Sequence, residues 1–322
     1  MLTYPETMSK TINTEYAIVR LTRDNIKDLA KLYLEVYDSR IGEEYFIKKY
    51  NTAYTGVENV GFLAYSKSNQ PIAYYGVIPC FIKCEKEIVL AAQSADTMTH
   101  PKHRYKGMFM ELSEKTFDLC KELSIRLVFG FPNQNSYYGA ITKLGWKETE
   151  KMDCFTIPVN ALPLKSISQK LKLKKLYNQY SEFILKRKLI PSNGVANSVL
   201  HDGFAGVYRS DEYLSHKTYS GARVIQIDNS RVWINNRNNL LIGDMEGVIE
   251  KNFSRVISKL KAIAWQLGLK QLQFHCSQET GLHKLFKSSF KSSKSFPVLF
   301  QDFGSSIPLE KIKFTFADID IF

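Results

Sequence analysis

The sequence predicts an α/β chain of the α+β kind, with strands and helices mixed and its two halves related. Three observations lead there. Residues 15–158 alternate between two-residue and 3.6-residue apolar periods in the order β-α-α-β-β-β-α-β-α-β. A strand breaks at Pro101 and runs through a short basic loop into a helix entered after Gly107. The remainder, from Ala196 on, repeats the first half faintly at an offset of 144 residues.

Taken in order, Tyr16–Leu21 alternates as a strand, and Asp24 is placed to cap a helix reaching Tyr37. Glu43–Tyr54 reads as a second helix, rich in tyrosine and lysine. Val60–Tyr65, Ile72–Phe81 and Ile88–Met98 are strands separated by turns at Lys67–Pro71 and Lys83–Lys86. The helix from Met108 to Leu123 carries Phe109, Leu112, Thr116, Leu119 and Leu123 on one stripe. Leu127–Phe131 is a strand, Asn135–Leu144 a short helix closed by Gly145, and Lys151–Pro158 a strand. Later, Val248–Leu267 repeats the helix pattern of Met108–Leu123. The tail Phe314–Phe322 reads as an edge strand with Asp318 and Asp320 toward solvent.

A chain of 322 residues has room for two domains. The division expected is residues 1–160, a basic helical connector over 161–195, and a third region over 196–322, with Pro191–Gly194 as a hinge. The formal charge is +12, and the segment 161–190 holds eight basic residues against Glu182 alone. Its Leu171, Leu173, Leu176, Tyr180 and Phe183 have helical spacing, which suits a solvated connector, an anionic membrane surface or RNA. Met1–Tyr16 lacks the apolar core of a signal peptide, and no apolar run approaches the ~20 residues that span a bilayer. Five cysteines with no C-x-x-C pair read as reduced thiols in a cytoplasmic protein.

The chemistry concentrates at residues 95–112. A loop opening into a helix presents unpaired N–H groups at the positive end of the helix dipole, which suits a phosphate. His103, Arg104 and Lys106 add charge there, and Gly107 lets the backbone approach a bulky ligand.

Arg104-Tyr105-Lys106-Gly107-Met108-Phe109, following Thr99-His100-Pro101, resembles the V-x-P then R/Q-x-x-G-x-G/A segment of the GNAT acyltransferase superfamily. Phe131-Pro132-Asn133, ahead of a short helix ending in Lys143-Leu144-Gly145-Trp146, resembles that family's second landmark. The resemblance implies a mixed, mostly antiparallel sheet flanked by helices, duplicated here, with acetyl-coenzyme A bound by the first half. It implies Arg104, Tyr105, Lys106, Gly107, Met108 and Phe109 on the pyrophosphate. Met98 and Thr99 would lie along the pantetheine arm, with Asn135, or else Asn133, opening the helix beneath it. The sequence departs from the pattern at Phe109, where the family has a small residue, and at Ile141, where many members carry a proton-donating tyrosine. At the same offset Gly107 meets Lys251 and Lys106 meets Glu250, so the second half is expected to be degenerate and to bind no coenzyme A.

Acyl transfer to an amine needs a polarised carbonyl, a neutral amine and a proton for the leaving thiolate. Asp96, two residues before Met98, is the candidate base, and Tyr138, three residues before Ile141, the candidate acid. The histidines show no metal-ligand spacing, and no metal is expected. These expectations describe an acetyl-coenzyme A-dependent N-acetyltransferase of a small amine, an amino sugar of surface polysaccharide being one case. Two other readings share the fold: a Fem-type aminoacyltransferase using aminoacyl-tRNA, and a catalytically silent coenzyme A-binding protein.

Overall fold

The computed structural model describes residues 11–12 and 15–322. The chain begins with β1 (Thr11–Ile12), β2 (Tyr16–Arg20), α1 (Lys27–Tyr37), α2 (Glu43–Tyr50) and β3 (Val60–Ser66). There follow β4 (Pro71–Cys84), β5 (Glu87–Thr99), α3 (Met108–Glu122), β6 (Leu127–Gly130), α4 (Gln134–Leu144) and β7 (Lys147–Pro158). The basic segment forms α5 (Leu164–Lys170) and α6 (Lys174–Lys186), after which come α7 (Ser198–His201), β8 (Gly206–Val207) and α8 (Asp211–Lys217). The rest is β9 (Arg223–Ile227), β10 (Ser230–Asn236), β11 (Leu240–Glu246), α9 (Glu250–Gln266), β12 (Gln271–Cys276), α10 (Gly281–Ser289) and β13 (Ser292–Asp302).

The chain divides into two compact units that interleave along the sequence. The first takes residues up to Phe81, Val89–Glu148 and Leu299–Ser306; the second takes Ile82–Ile88, Thr149–Val298 and Ile307–Phe322. The contiguous division expected at 160 and 195 is therefore not the one observed. The reason lies in strand pairing, which sequence order does not fix. The strand after α4 pairs antiparallel with β12 inside the second unit, from Asp153↔Cys276 to Pro158↔Gln271. The end of β13, after α10, pairs antiparallel with β6 inside the first unit, from Leu299↔Gly130 to Asp302↔Leu127. Each run thus places its last strand end in the other unit.

In the first unit β2, β3 and β4 form an antiparallel meander, and β5 pairs parallel with β6 across the α3 crossover. Two apolar clusters cover the sheet. Leu29 and Leu32 of α1, Phe46 and Tyr50 of α2, Ala95 and Met98 share one. Met108, Leu112, Phe117 and Leu119 of α3, Ala140 of α4, Tyr75 and Ala92 share the other. The cap expected of Asp24 is replaced by a turn built on Asn25, whose Oδ1 accepts from the Thr22 amide at 2.8 Å. That delays α1 to Lys27.

The second unit repeats this plan. An antiparallel β9-β10-β11 meander leads through α9 to β12, parallel to β11. The bounds of α3, β6, α4 and β7 fall within three residues of those of α9, β12, α10 and β13 once 144 is added. The core lies between this sheet and α9, whose Phe253, Val256, Ile257, Leu260 and Ile263 face it.

Two other expectations give way. The tail is not an edge strand: Phe316–Asp318 is a 3₁₀ turn, and Asp318 and Asp320 are buried. The cause is Arg209, whose buried guanidinium draws Asp318 inward at 2.8 Å. Nor is Gly194 placed as a hinge; it is buried, and a Cβ there would lie 2.5 Å from Leu214 and 2.9 Å from Trp233. Among the described residues no helix is long and apolar enough to cross a membrane.

Candidate active site

The loop between β5 and α3 takes its shape from short-range chemistry. His100 Nδ1 accepts from the Lys102 amide at 3.2 Å and starts a one-turn 3₁₀ helix at Pro101. The Arg104 Nε donates to the Thr99 carbonyl at 3.4 Å, tying the loop back to the strand end. Tyr105 is fully exposed with φ 66°, and Gly107 follows at φ 79° as the residue that opens α3. The helix ladder starts with the Met110 and Glu111 amides, which both donate to the Gly107 carbonyl, at 2.9 and 3.2 Å. The amides of Gly107, Met108 and Phe109 precede it, and no side chain caps the helix. A Cβ at Gly107 would meet nothing within 4 Å, so the approach to these amides is open.

The field at this mouth is positive. Partial burial and then the neighbouring Lys106, His100 and Lys102 hold the His103 pKa below its ordinary value. Lys106 lies 3.8 Å from Glu15, an exposed pair that leaves its charge in solvent.

Phe109 does not close the mouth. Its ring turns into the core, 6.1 Å edge-on from Tyr75, and lies against Gly139 of α4. A Cβ on Gly139 would come 3.0 Å from the Phe109 ring, so the small residue that lets the two helices approach sits on α4 rather than α3. Replacing Gly139 with leucine is expected to overpack this contact. Denaturant unfolding should show a loss of about 1–3 kcal/mol. Unchanged stability would mean that the ring has room elsewhere.

Beside the mouth β5 parts from β6. Their parallel pairing runs from Ala91↔Leu127 to Gln93↔Phe129 and stops there. At the fork a Cβ on Gly130 would stand 3.3 Å from Ser94 Cβ and from the Trp146 ring. Residues 94–99 of β5 lie beyond it, so the edge that faced β6 is open from Ser94 on, four residues earlier than Met98. Met98 keeps its side chain in the cluster with α1 and α2, and the Thr99 carbonyl turns away from β4 toward the Arg104 side chain.

Asp96 lies on this open stretch with φ 51°, a left-handed conformation uncommon for a non-glycine residue inside a strand. In regular alternation Asp96 would share the face of Ser94, which is bonded to Tyr75 at 2.9 Å. The kink turns it over to α2 instead. There Lys49 Nζ meets Asp96 Oδ2 at 2.7 Å, and the Tyr50 hydroxyl donates to the same oxygen at 2.9 Å. Lys49 is only 1% exposed, so the pair is a buried one on the lysine side. Burial, and then the Asp96 charge, raises the Tyr37 pKa, and Tyr37 stacks 4.6 Å from Tyr33. The carboxylate is therefore set among tyrosines of α1 and α2.

The second landmark is shifted. Asn133, not Asn135, opens α4: its Oδ1 accepts from the Asn135 and Ser136 amides at 2.9 and 3.2 Å. Asn135 stands exposed in the first turn. Of the two α4 tyrosines, Tyr137 donates to the Glu148 carboxylate at 2.5 Å, while Tyr138 stands largely in solvent. No hydrogen bond among the described residues joins Tyr138 to Asp96. The structure thus brings Asp96, Met98, Thr99 and the 104–109 loop together along one edge and leaves Tyr138 and Asn135 on the outside of α4.

Sequence reasoning misses Lys49, Tyr50 and Gly139, and places Asn133 behind Asn135. An asparagine two residues before Asn135 with a helix pattern behind it is a usable capping signal. Nothing local marks a buried lysine. Elsewhere, burial pushes the His275 pKa down to about 4, as suits a neutral core histidine beside Cys154.

The second unit lacks such a mouth. Only residues 247–249 separate β11 from α9, against residues 100–107 in the first unit. Asn252 Oδ1 accepts from the Ile249 amide at 2.8 Å, and its Nδ2 donates to the Gly247 carbonyl at 2.9 Å, closing the helix start on itself.

Comparisons with known proteins bear on the domain family and the fold. Residues 17–148 match the profile of the acetyltransferase (GNAT) domain family. A proposed acetyltransferase from Pyrococcus horikoshii superposes with a TM-score of 0.56 at 14% identity, over 97% of each chain. A GCN5-related N-acetyltransferase from Kribbella flavida gives 0.57 at 10% identity, over 90% of this chain and 71% of the other. At such identities these likenesses establish the fold. An ATP-dependent helicase/nuclease chain from Clostridium botulinum is 28% identical over 120 residues, which is 36% of this chain and 9% of that one. So short a share of that protein carries nothing about its activity.

Proposed function

We propose, from the premise that this chain belongs to the GNAT superfamily through residues 17–148, that it is an acetyl-coenzyme A-dependent N-acetyltransferase of a small amine. The chemistry belongs to the first unit. The second shares its element order, and we read it as a degenerate duplicate with no cofactor site.

The observation that carries this reading is the open mouth beside an open strand edge. The residues present fit the cofactor. Free amides at Gly107, Met108 and Phe109, a glycine with no atom in front of it, and the cations Arg104 and Lys106 suit a diphosphate. The unpaired edge over 94–99 suits an extended amide-bearing tail. When bound, acetyl-coenzyme A supplies the acyl group as an activated thioester.

The protein supplies alignment and proton handling. Alignment alone is worth several kcal/mol. A backbone amide on the open edge near Met98 polarises the acyl carbonyl. Lys49 and Tyr50 both engage Asp96 Oδ2, which fixes the carboxylate and leaves Oδ1 to meet the incoming ammonium and take its proton. Tyr37, half-exposed on α1 and within the field of Asp96, offers a ring face and a hydroxyl, which favours an amine carried on a hydroxylated ring, such as an amino sugar. Tyr137 is engaged by Glu148, which leaves the exposed Tyr138 hydroxyl as the α4 group to give the leaving thiolate its proton.

The aminoacyl-tRNA reading draws on the basic segment alone, whereas the first unit retains a diphosphate mouth that such a donor does not need.

Calorimetric titration with coenzyme A, followed by thioester loss across a panel of amines, tests the proposal. Asp96→Asn is expected to lower kcat by about 10²–10⁴-fold while coenzyme A binding persists. Unchanged turnover would remove Asp96 from the mechanism. Absent coenzyme A binding would overturn the whole reading.

A further inference from the structure

We propose that the outer face of residues 162–187, extended by Trp265, docks on an anionic phospholipid bilayer. The surface lies wholly in the second unit, and the inference stands apart from the acyltransferase reading.

The helix α6 carries two apolar stripes. Tyr177, Ser181 and Leu185 are buried and attach it to the unit, with the Tyr177 hydroxyl donating to the Leu267 carbonyl at 3.0 Å. Leu173, Leu176, Tyr180 and Phe183, at helical spacing, form a second stripe that faces outward. Leu176 is 60% exposed and Phe183 65%. Leu162 and Leu171 are exposed beside it. The Tyr180 hydroxyl donates to the Gln266 carbonyl at 2.7 Å, which brings the stripe to the end of α9, where Trp265 is 59% exposed. Exposed aliphatic and aromatic side chains thus gather on this segment and the end of α9, where a soluble domain usually shows them singly.

Cations frame it. Lys170, Lys172, Lys174, Lys175, Lys186 and Arg187 are exposed, with Lys261 one turn from Trp265 on α9. Lys165 is excluded because its ammonium donates to the Asn236 and Arg237 carbonyls at 3.2 and 2.5 Å. The single acidic residue, Glu182, is held by Arg223 at 2.6 Å.

Charge selects the occupant. A second copy would bring two strongly cationic surfaces together, and a two-fold contact sets like against like. A nucleic acid would satisfy the cations but leave Leu162, Leu171, Leu173 and Leu176 without apolar partners. An anionic bilayer meets both needs: leucine, phenylalanine and tryptophan enter the headgroup boundary while lysines reach the phosphates.

Flotation of the full chain with phosphatidylcholine vesicles, with and without phosphatidylglycerol, tests this. Binding is expected only with the anionic lipid, weakening as salt rises. Trp146 and Trp233 are buried, so a blue shift on binding reports Trp265. Lys174→Gln/Lys175→Gln should lower partition by about fivefold per lysine. Leu176→Asp/Phe183→Asp should abolish binding while circular dichroism stays unchanged; Phe183→Ser is the milder variant if that one misfolds. Failure to bind anionic vesicles would overturn the proposal, as would undiminished binding by both apolar variants. So would a dimer in sedimentation that the apolar variants dissociate, or a tRNA gel shift with no vesicle binding.

Discussion

Gly107→Glu is expected to cost at least roughly 100-fold in coenzyme A affinity, read by calorimetric titration. Two effects combine. At φ 79° any side chain strains the backbone, at roughly 1–2 kcal/mol. The carboxylate also projects where the free amides of Met108 and Phe109 would receive a diphosphate, setting like charge against like. The fold itself is spared, because a Cβ at this position meets nothing within 4 Å. Gly107→Ala separates the two contributions, since it carries the strain without the charge and should weaken binding by about tenfold or less. Equal binding by wild type and Gly107→Glu would place the diphosphate elsewhere and remove the foundation of the acyltransferase mechanism.

Arg209→Met is expected to destabilise the second unit by about 3–5 kcal/mol. The guanidinium is fully buried. Its Nη1 lies 2.6 Å from Asp244, while Nε and Nη2 donate to Asp318 at 3.1 and 2.8 Å, and Nη2 also reaches Thr315 at 2.9 Å. Burial works against the charge, but the two carboxylates outweigh it and hold the group protonated. Removing the arginine leaves two buried carboxylates facing each other with no countercharge. Denaturant unfolding of the variant should show the loss directly. Replacing Arg209, Asp244 and Asp318 together by apolar residues of similar volume should recover much of it, because the desolvation penalty goes with the charges. A single variant as stable as wild type would show that water reaches the site.

The same cluster shows where reading the sequence stops. Asp318 and Asp320 follow Phe314 in an alternating pattern that fits an edge strand, and nothing nearby in sequence announces Arg209, more than a hundred positions earlier. Alternation records only that every second residue differs in polarity; it does not tell which carboxylate meets a buried cation. Asp96 is a similar case. Its position before Met98 marks it as a candidate, but its orientation depends on a left-handed residue inside β5 and on Lys49 of α2. Phe109 stands in the sequence as a departure from the family pattern that the resemblance implies, because its accommodation by Gly139 lies thirty positions away on a neighbouring helix.

By itself the sequence determined the order of strands and helices over 15–158, the basic loop with glycine at its end, and the 144-residue offset that α9, β12, α10 and β13 follow. These are matters of backbone preference and apolar period, which act within a few residues. Tertiary structure alone decided that β7 and β13 send their ends into opposite units, where β5 releases β6, and which face Asp96 takes. Those depend on hydrogen-bond partners and buried charges far apart in the chain, and a strand's own residues are equally able to pair with any edge that matches them.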